Sequence, residues 1–484
     1  MSFQWWNTVS NLFLLTNTVL AFFILFSERK RATSKWAWIM TLFFLPFVGF
    51  LLYLLFGLPH NKRKGKHATA YSNPEIRDLS KGQLAEIDQG SFEFPSVVAE
   101  EWQALIRLNA KSKMAPLTHN NRLRIYTDGK RKFDALIKDI EKAENHIHLE
   151  YYLLKNDEIG NRLLDLLIEK ASHGLEVLVL YDDLGSKSLP NNFFKEFFRS
   201  GGKAAASLPS RLPFTNPRLN YRNHRKIAII DGKMGYIGGF NIGDEYLGRN
   251  GQFGYWRDTH LRIEGTAVHF LQHQFLTDWN QATQEHPVFY DERYFPSAET
   301  IEGAAMQIVA SGPDEPVDQI KNGFLKMIAQ ARKSVYIQTP YLVPDLAILD
   351  VIRTASLSGV DVRIMIPSKA DHLFIHSASL SYAKNLLDAG AKIYAYGNGF
   401  LHAKTVVVDG MIFSVGSANM DIRSFSLNFE ANAFIYDAES AEEMIRIFFS
   451  DVTLSQEITS EYFENLSLFK RFKLQIARLL APIL

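Results

Sequence analysis

The chain has 484 residues, a length that favours two globular units with additional segments over one ordinary domain. Its formal net charge of +1 argues against a strongly basic nucleic-acid-binding protein. Cysteine is absent, so disulfides, thiolate nucleophiles and cysteine-ligated zinc sites are excluded. Aromatic residues make up 13% of the chain, with 36 phenylalanines, a composition that favours association with a membrane.

The N-terminal 62 residues contain two apolar stretches. Residues Trp36–Leu58 form an uncharged run long enough to span a bilayer as a helix, which requires about 20 residues. The stretch Val9–Phe26 is a weaker candidate, because polar residues dilute it. A signal peptide is disfavoured there, since no basic segment precedes the stretch and the charged segment 28–31 follows it. We therefore predict a two-helix transmembrane hairpin in residues 1–62 and a multi-pass membrane protein.

The remainder divides into a polar segment, two similar halves and a C-terminal stretch. Residues 63–121 are polar and mixed, and we interpret them as a linker and approach segment with one helix at Val97–Ala110. From Arg122 onward, short β-branched runs alternate with helical stretches, which is typical of α/β units. The predicted boundaries are 122–300 for a first domain, 301–450 for a second and 451–484 for a C-terminal amphipathic segment.

The two halves are related by an internal repeat. The segment HIHLEYYLLKND (146–157) parallels SVYIQTPYLVPD (334–345), and SHGLEVLVLYDD (172–183) parallels SGVDVRIMIPSK (358–369). We predict two similar α/β sandwiches packed against each other. The predicted strands are Ile147–Tyr152, Glu176–Tyr181, Lys226–Ile230, Val335–Thr339, Asp361–Ile366, Lys392–Tyr396 and Lys404–Val408.

Each half contains one His-x-Lys-x4-Asp motif. The two copies supply His224, Lys226 and Asp231, and His402, Lys404 and Asp409. The histidine and lysine are two residues apart on a predicted strand, so their side chains lie on one face. The aspartate begins a tight turn with the following glycine, so a structural role for it competes with a catalytic one. Two copies at equivalent places in a repeat are not a chance match, and we predict one catalytic site shared by both halves.

Polar residues follow each motif at similar distances. Asn241 follows the first motif, and Ser417 and Asn419 follow the second. These neutral donors suit phosphate oxygens, so we predict that they bind a phosphate. Asp258 and Glu430 come later in each half, and a carboxylate is the group that fixes the tautomer of a catalytic histidine and stabilises its cation.

Two further patterns each have competing interpretations. His146 and His148 share a strand face with a spacing that suits metal ligation, but packing or hydrogen bonding is favoured because no carboxylate partner is evident. In Leu468–Leu484, apolar residues recur on one helical face beside basic residues. That pattern predicts either a helix on an anionic surface or one docked on its own domain.

The duplicated motif with its trailing Gly-Ser-x-Asn resembles the signature of the phospholipase D superfamily. Within that superfamily the N-terminal hairpin, NYRNHRK (220–226), GGFNIGDEY (238–246) and the ending RLLAPIL (478–484) resemble bacterial cardiolipin synthases. The resemblance covers about Arg122 to the C-terminus. One departure is Gly239, which stands where the second motif has Ser417, so we expect the second half to contribute more hydrogen bonds to the phosphate.

This resemblance implies a phosphatidyltransferase of the bacterial cell membrane that needs no metal or other cofactor. It implies that His224 is the nucleophile and His402 the general acid and base, with Asp258 orienting His224 and Glu430 orienting His402. Two phosphatidylglycerol molecules then give cardiolipin and glycerol through a phosphohistidine. A hydrolytic phospholipase D and a phosphatidylserine synthase-type transferase are the alternatives. Membrane lipid is the expected partner and nucleic acid is not, while the oligomeric state stays open.

Overall fold

The computed structural model describes residues 2–26, 32–53, 74–111, 115–209, 220–249, 251–283, 286–297, 303–315, 317–369, 371 and 373–480. The helices of these residues are α1 (Ser2–Leu25), α2 (Ala32–Phe44), α3 (Pro46–Leu52), α4 (Pro74–Gln89), α5 (Val97–Glu101), α6 (Gln103–Lys111), α7 (Gly129–Glu141), α8 (Glu158–Ser172), α9 (Lys195–Arg199), α10 (Ala267–Ala282), α11 (Gln319–Gln330), α12 (Leu346–Leu357), α13 (Leu373–Leu387), α14 (Ile422–Ser426), α15 (Ala438–Val452), α16 (Ser460–Glu464) and α17 (Leu468–Leu480). Short 3-10 helices cover Asp244–Leu247 and Glu292–Tyr294.

The strands of the described residues follow the same repeat in both halves. They are β1 (Thr118–Asp128), β2 (His146–Tyr151), β3 (Glu176–Asp182), β4 (Lys203–Ser207), β5 (Arg222–Asn223), β6 (Lys226–Ile230), β7 (Met234–Gly238), β8 (Trp256–Gly265), β9 (Ala304–Ser311), β10 (Ser334–Gln338), β11 (Asp361–Pro367), β12 (Lys392–Tyr396), β13 (Phe400–Leu401), β14 (Thr405–Val408), β15 (Ile412–Gly416), β16 (Asn428–Tyr436) and β17 (Ser455–Ile458). Every strand predicted from the sequence is present, with ends that differ by at most one residue.

The N-terminal helices differ from the predicted hairpin. The predicted second span is divided into α2 and α3, with Pro46 as the first residue of α3. Proline has no amide hydrogen to donate to the carbonyl of Leu42, and the side-chain Nδ2 of Asn17 donates to that carbonyl instead, at 3.2 Å. Within the described ranges, no helix combines the length and apolar character needed to cross a bilayer. Two parts of the prediction lie outside the described residues: the end of the second span (54–58) and the charged segment 28–31.

The segment predicted as a linker contributes to the core. Its helix at Val97–Ala110 is present as α5 and α6, with a break at Trp102. The side chains of Trp102, Leu105 and Ile106 are fully buried in one apolar cluster with strands of the second half. The linker interpretation is therefore wrong for α5 and α6, because apolar side chains at helical spacing gain more from this burial than from exposure.

Strand pairing runs without a break through both halves. The order is β4-β3-β2-β6-β7-β8 in the first half and β12-β11-β10-β14-β15-β16 in the second. Strand β1 pairs with β8, β9 pairs with β16, and β1 and β9 pair with each other in the middle. Strand β17 adds an edge beside β12, beyond the predicted domain end at 450. The matching orders confirm two repeated α/β units.

Three apolar clusters lie between the sheets and helices of the two halves. One outer cluster joins the first-half sheet to α7 and α8, and another joins the second-half sheet to α11, α12 and α13. The third cluster contains residues of both halves, including Phe275 of α10 and Phe448 of α15. The two repeats therefore share one apolar interface, which fixes the orientation of their sheets.

Two short strands connect the halves near the motifs. Strand β5 pairs in parallel with β16 of the other half, and β13 pairs in parallel with β8. Each short strand ends directly before the motif histidine of its own half. This crossed pairing determines the geometry of the site.

Candidate active site

Each motif histidine is held by the backbone of the opposite half. The N–H of His224 donates to the carbonyl of Phe429 at 2.9 Å, and the N–H of His402 donates to the carbonyl of Arg257 at 2.7 Å. These bonds continue the pairing of β5 with β16 and of β13 with β8. The backbone of each motif histidine is thus hydrogen-bonded to a strand of the opposite half.

Each histidine ring contacts a carboxylate of the opposite half. The Nδ1 atom of His224 lies 3.0 Å from both carboxylate oxygens of Glu430, and that of His402 lies 2.6 Å from Oδ2 of Asp258. The predicted pairing of Asp258 with His224 and of Glu430 with His402 is therefore wrong. The reason is the crossed strands, because β8 carries Asp258 beside β13 and β16 carries Glu430 beside β5.

The carboxylates determine the tautomer of both rings. Burial alone raises the pKa of each carboxyl group, but the neighbouring histidine and lysine outweigh it, so the pKa of Asp258 and of Glu430 is below its usual value. An ionised carboxylate only accepts hydrogen bonds, so Nδ1 of each ring carries the hydrogen and Nε2 carries a lone pair. Both rings remain reachable, with 12% of the His224 side chain and 10% of the His402 side chain exposed.

Both histidines are neutral at pH 7. Burial lowers the pKa of His224 and of His402 to about 4, and the motif lysines act in the same direction. Each ring therefore presents an unprotonated Nε2, the form that a nucleophile or a general base requires.

The motif lysines are buried beside the histidines. The Nζ of Lys226 donates to the carbonyl of His224, and that of Lys404 donates to the carbonyl of His402, each at 2.5 Å. Burial lowers the pKa of Lys226 to about 7 and that of Lys404 to about 8, while the two carboxylates oppose this effect. Two lysines thus lie beside the histidines, where a bound anionic phosphodiester would favour their charged forms.

The predicted phosphate-binding residues differ in their free hydrogen-bonding capacity. Asn241 accepts from the N–H of Leu153 and donates to the hydroxyl of Tyr246. Ser417 exchanges hydrogen bonds with both backbone groups of Ala431, the residue after Glu430. The buried Oδ1 of Asn419 has no hydrogen-bond partner in the described part of the chain. Asn241 and Ser417 therefore hold neighbouring backbone, and their phosphate contacts stay a prediction.

Asp231 and Asp409 lie at the far ends of the motif strands. A strand rises roughly 3.3 Å per residue, so the five residues after each lysine separate these aspartates from the site by roughly 16 Å. Both have a left-handed backbone, with φ of 55° and 56°, as a turn through Asp-Gly requires. Their contacts support the structural role rather than the catalytic role also predicted for them.

Both aspartates hold the backbone that leads into a strand. Asp231 accepts from the N–H groups of Glu144, Asn145 and His146 at 2.8–2.9 Å. Asp409 accepts in the same way from the N–H groups of Arg332, Lys333 and Ser334, which lead into β10, at 2.7–2.8 Å. One carboxylate in each half thus ties the motif turn to the start of a central strand.

Replacing Asp231 with alanine is expected to lower stability and leave the chemistry intact. The change strands three backbone N–H groups, so the free energy of unfolding is expected to fall by about 2–4 kcal/mol. Denaturant unfolding measures the loss, and the turnover number of the folded fraction is expected to change less than threefold. The exposed Asp165→Ala serves as a control that is expected to stay within about 0.5 kcal/mol. A large loss of turnover number in the folded fraction would restore the catalytic assignment.

Two buried arginine–aspartate pairs hold the backbone of the two carboxylates that contact the histidines, and they were not predicted from the sequence. Arg225 pairs with Asp278 at 2.5 Å, and its Nε donates to the carbonyl of Glu430. Arg257 pairs with Asp451 at 2.7 Å and donates to the carbonyl of Asp258. The partners lie far apart in the chain, 53 residues for Arg225 and Asp278 and 194 residues for Arg257 and Asp451. The position of Arg225 inside the first motif was the one feature of the sequence that could have indicated either pair.

His146 and His148 form a hydrogen-bonded cluster. His146 contacts Oε1 of Gln272 at 3.0 Å, and Nε2 of the same amide contacts Nδ1 of His148 at 2.9 Å. Nε2 of His148 lies 3.1 Å from Glu176. The favoured interpretation as packing and hydrogen-bonding residues is confirmed, and the expectation that no carboxylate lies nearby is wrong.

The comparisons with known proteins agree with this geometry. A family model described as cardiolipin synthase, PLD-like domain matches residues 136–279 and 324–452, one match on each motif. A second model, described as phospholipase D-nuclease N-terminal, matches residues 17–57. The chain belongs to the cardiolipin synthase family.

Curated relatives match this family member over nearly their whole length. The major cardiolipin synthase of Bacillus subtilis is 50% identical over 477 residues, which is 98% of each chain. The cardiolipin synthase of Listeria innocua is 48% identical and covers 97% of this chain and 98% of its own. Among solved structures, the phosphatidylserine synthase of Haemophilus influenzae has a TM-score of 0.60 at 16% identity, covers 80% of this chain and all of its own, and shows the fold alone.

Gly239 and Ser417 hold equivalent positions in this cardiolipin synthase family member. The N–H of Gly239 donates to the carbonyl of Thr259 at 2.9 Å, and the N–H of Ser417 donates to the carbonyl of Ala431 at 3.0 Å. Thr259 and Ala431 directly follow Asp258 and Glu430. A Cβ atom on Gly239 would lie 2.0 Å from Oδ1 of Asp258. No side chain therefore fits at position 239 while Asp258 bonds to His402, which explains the departure from serine.

Proposed function

We propose that this family member transfers a phosphatidyl group from one phosphatidylglycerol to another and releases glycerol. The observation that carries the proposal is the pair of neutral histidines, each with an ionised carboxylate on Nδ1 and a reachable Nε2. Two such groups suit a reaction that needs a nucleophile and an acid–base partner in turn. The full-length identity to curated cardiolipin synthases supports the choice of lipid.

The first step makes a covalent intermediate. Nε2 of His224 attacks phosphorus, a P–N bond forms, and the P–O bond to glycerol breaks. Nε2 of His402 gives its proton to the leaving glycerol oxygen, so the leaving group departs neutral. The anionic phosphodiester raises the pKa of His402 when it binds, because an opposite charge favours the imidazolium. Lys226 and Lys404 offset the charge on the phosphoryl oxygens.

The second step reverses the proton transfer. His402, now neutral, takes the proton from a glycerol hydroxyl of the second phosphatidylglycerol. That oxygen attacks phosphorus, the P–N bond breaks, and His224 is released as a neutral imidazole. The products are cardiolipin and glycerol, and the proton left on His402 passes to water when the anionic product leaves. Glu430 and Asp258 stabilise the positive charge that each ring carries during its step.

The proposal predicts a bell-shaped pH profile for kcat/KM. Below about pH 4 His224 is protonated in the free enzyme and loses its lone pair, so activity falls as pH decreases. His402 must be protonated to act as the acid, so activity declines as pH rises above about 4, and the decline steepens above about pH 7–8 because Lys226 and Lys404 lose their charge. Initial rates between pH 3.5 and 9.5 measure both limbs. In the Lys226→Arg variant, the part of the alkaline limb that is due to residue 226 is expected to shift to higher pH, because arginine stays charged. An alkaline limb that does not move contradicts the assignment to lysine.

Incubation of the purified enzyme with phosphatidylglycerol alone tests the reaction. Cardiolipin and glycerol in equal amounts are expected, with label from radioactive phosphatidylglycerol trapped on His224 after an acid quench. Phosphatidic acid as the sole lipid product would instead identify a hydrolytic phospholipase D. A requirement for a nucleotide-activated donor and serine would identify a phosphatidylserine synthase-type transferase.

We further propose that residues 1–62 hold the enzyme at the bacterial cell membrane as a multi-pass hairpin. The support is the exposure of large apolar side chains on α1 and α2, including Phe23 and Phe44 at 70% each. Lipid substrates in the same bilayer then reach the site without leaving it. Retention of the full chain in the membrane fraction after alkaline carbonate extraction is the expected result.

A further inference from the structure

Helix α17 has two apolar faces. One face packs on α13 of the second half through Leu474 and Ala477, whose side chains are 9% and 0% exposed. Arg478 adds a cation–π contact, with its guanidinium 5.4 Å from the ring centroid of Tyr382. Arg471 donates to the backbone carbonyls of Leu466 and Glu464, and these bonds fix the turn that leads into the helix. The helix is therefore anchored to the globular part of the chain.

The opposite face of α17 exposes large apolar side chains. The exposed fractions are 83% for Leu468, 77% for Phe469, 64% for Phe472, 37% for Ile476 and 72% for Leu479. At about 100° per residue, this stripe points away from Leu474 and Ala477. Burying a large apolar side chain is worth roughly 1.5–3 kcal/mol, so a stripe of this size marks a surface that meets a partner.

The charges of α17 indicate the chemistry of that partner. The helix LFKRFKLQIARLL contains four basic residues and no acidic residue. Lys473 borders the exposed stripe on one side, and Arg471 and Arg478 border it on the other. An apolar stripe between cations matches a helix that lies in the interface of an anionic bilayer.

We propose that α17 lies in the surface of an anionic lipid bilayer, with Phe469 and Phe472 inserted between headgroups while Leu474 and Ala477 stay packed on α13. The sequence allowed two interpretations of this segment, a helix on an anionic surface and a helix docked on its own domain. Both are then correct, because each applies to a different face of the helix. The proposal goes beyond the reaction, because it concerns a surface that contributes no group to the catalytic site. It gives the second half its own membrane contact, separate from residues 1–62.

A single spin label on α17 tests the proposal in the full-length enzyme. The chain has no cysteine, so Phe472→Cys gives one unique labelling site. The labelled enzyme is reconstituted in phosphatidylcholine vesicles with and without phosphatidylglycerol. Accessibility to oxygen and to a water-soluble nickel complex is then measured. Conversion of phosphatidylglycerol to cardiolipin leaves the number of phosphate charges unchanged, so turnover does not disturb the comparison.

Three outcomes are distinguishable. High oxygen accessibility with low nickel accessibility, found when phosphatidylglycerol is present, supports insertion into lipid. High nickel accessibility means that the stripe faces water, and low accessibility to both reagents means that protein covers it; either result overturns the proposal. Phe198→Cys is the matched control, since Phe198 is 54% exposed on α9 of the first half and is expected to stay accessible to nickel.

The role of charge is tested on the same labelled protein. Lys473→Gln is expected to reduce the ratio of inserted to exposed label about fivefold, because one basic residue near an anionic surface contributes about that factor. Raising the salt concentration is expected to act in the same direction. Lys195→Gln, which removes a lysine from α9, is expected to leave the ratio unchanged. No response to Lys473→Gln or to salt overturns the electrostatic part. Cardiolipin formation by the unlabelled enzyme is assayed separately, so failure of the reaction and failure of the surface are not confused.

Discussion

Glu430→Gln is expected to lose phosphoenzyme formation with every donor, whereas Asp258→Asn is expected to regain it with a donor that has a good leaving group. With phosphatidylglycerol, each change is expected to reduce the rate by about 10³- to 10⁴-fold, as for an amide that replaces a histidine-orienting carboxylate. With a p-nitrophenyl phosphatidyl ester, the leaving group needs no proton. The Asp258→Asn loss is then expected to shrink to less than tenfold.

The reason is the crossed pairing of the site. Glu430 contacts His224, the proposed nucleophile, which must attack phosphorus whatever the leaving group is. Asp258 contacts His402, the proposed acid, which is needed only when the leaving oxygen requires protonation. Single-turnover release of p-nitrophenol with acid-quench trapping measures this first step alone.

Control variants separate this prediction from general damage to the fold. Glu443→Gln removes an exposed carboxylate from α15 and is expected to leave both rates unchanged. Thermal unfolding of each variant reports whether the folded state survives. If Glu430→Gln is the variant that the activated donor rescues, the roles of the two histidines are reversed. If the activated donor rescues neither variant, Glu430 and Asp258 do not have separate roles in nucleophilic attack and in protonation of the leaving group.

Gly239→Ser is expected to copy Asp258→Asn, because the new Cβ lies 2.0 Å from Oδ1 of Asp258 and moves the carboxylate off His402. The loss with phosphatidylglycerol is expected to reach at least 10²-fold. The activated donor is expected to restore most of it. A purely structural defect would reduce both rates equally, so the ratio of the two rates is the decisive measurement.

Two further variants, one at a glycine and one at a serine, are compared with Gly239→Ser. Gly82→Ala places a methyl group on α4 where no atom beyond the backbone of the helix itself lies within 4 Å, and it is expected to raise stability by about 0.5–1 kcal/mol with unchanged rates. Ser417→Gly removes the hydroxyl bonded to Ala431 and is expected to weaken the Glu430 side of the site, a loss that the activated donor does not restore. Full activity of Gly239→Ser with phosphatidylglycerol would contradict the assigned role of Gly239.

The strands and the motif residues of the candidate site were predictable from the sequence because they depend on local patterns. Strand β6 has four apolar residues after Lys226, and the Asp-Gly turn after it requires a left-handed backbone that both positions adopt. The duplicated motif identifies His224 and His402 without any knowledge of the fold. These features depend on residues that are close together in the chain.

The partner of each histidine was not predictable, because it depends on how the halves pack. Glu430 follows His224 by 206 residues, and Asp258 precedes His402 by 144. A repeat read along the chain pairs each histidine with the carboxylate of its own half. Only the pairing of β5 with β16 and of β13 with β8 reverses that choice. The same limit applied to Arg225 and Asp278, which meet through the packing of α10.

The crossed hydrogen bonds also mean that His224 and its carboxylate partner are synthesised far apart in time. The ribosome adds roughly 5–20 residues per second, so roughly 10–40 seconds separate the synthesis of His224 from that of Glu430, which follows it by 206 residues. During that interval the first half has its histidine and lysine but lacks the carboxylate that holds the ring. If His224 is the nucleophile, as proposed, a chain that ends before β16 lacks the carboxylate that holds its ring, and we expect such a chain to form no phosphoenzyme.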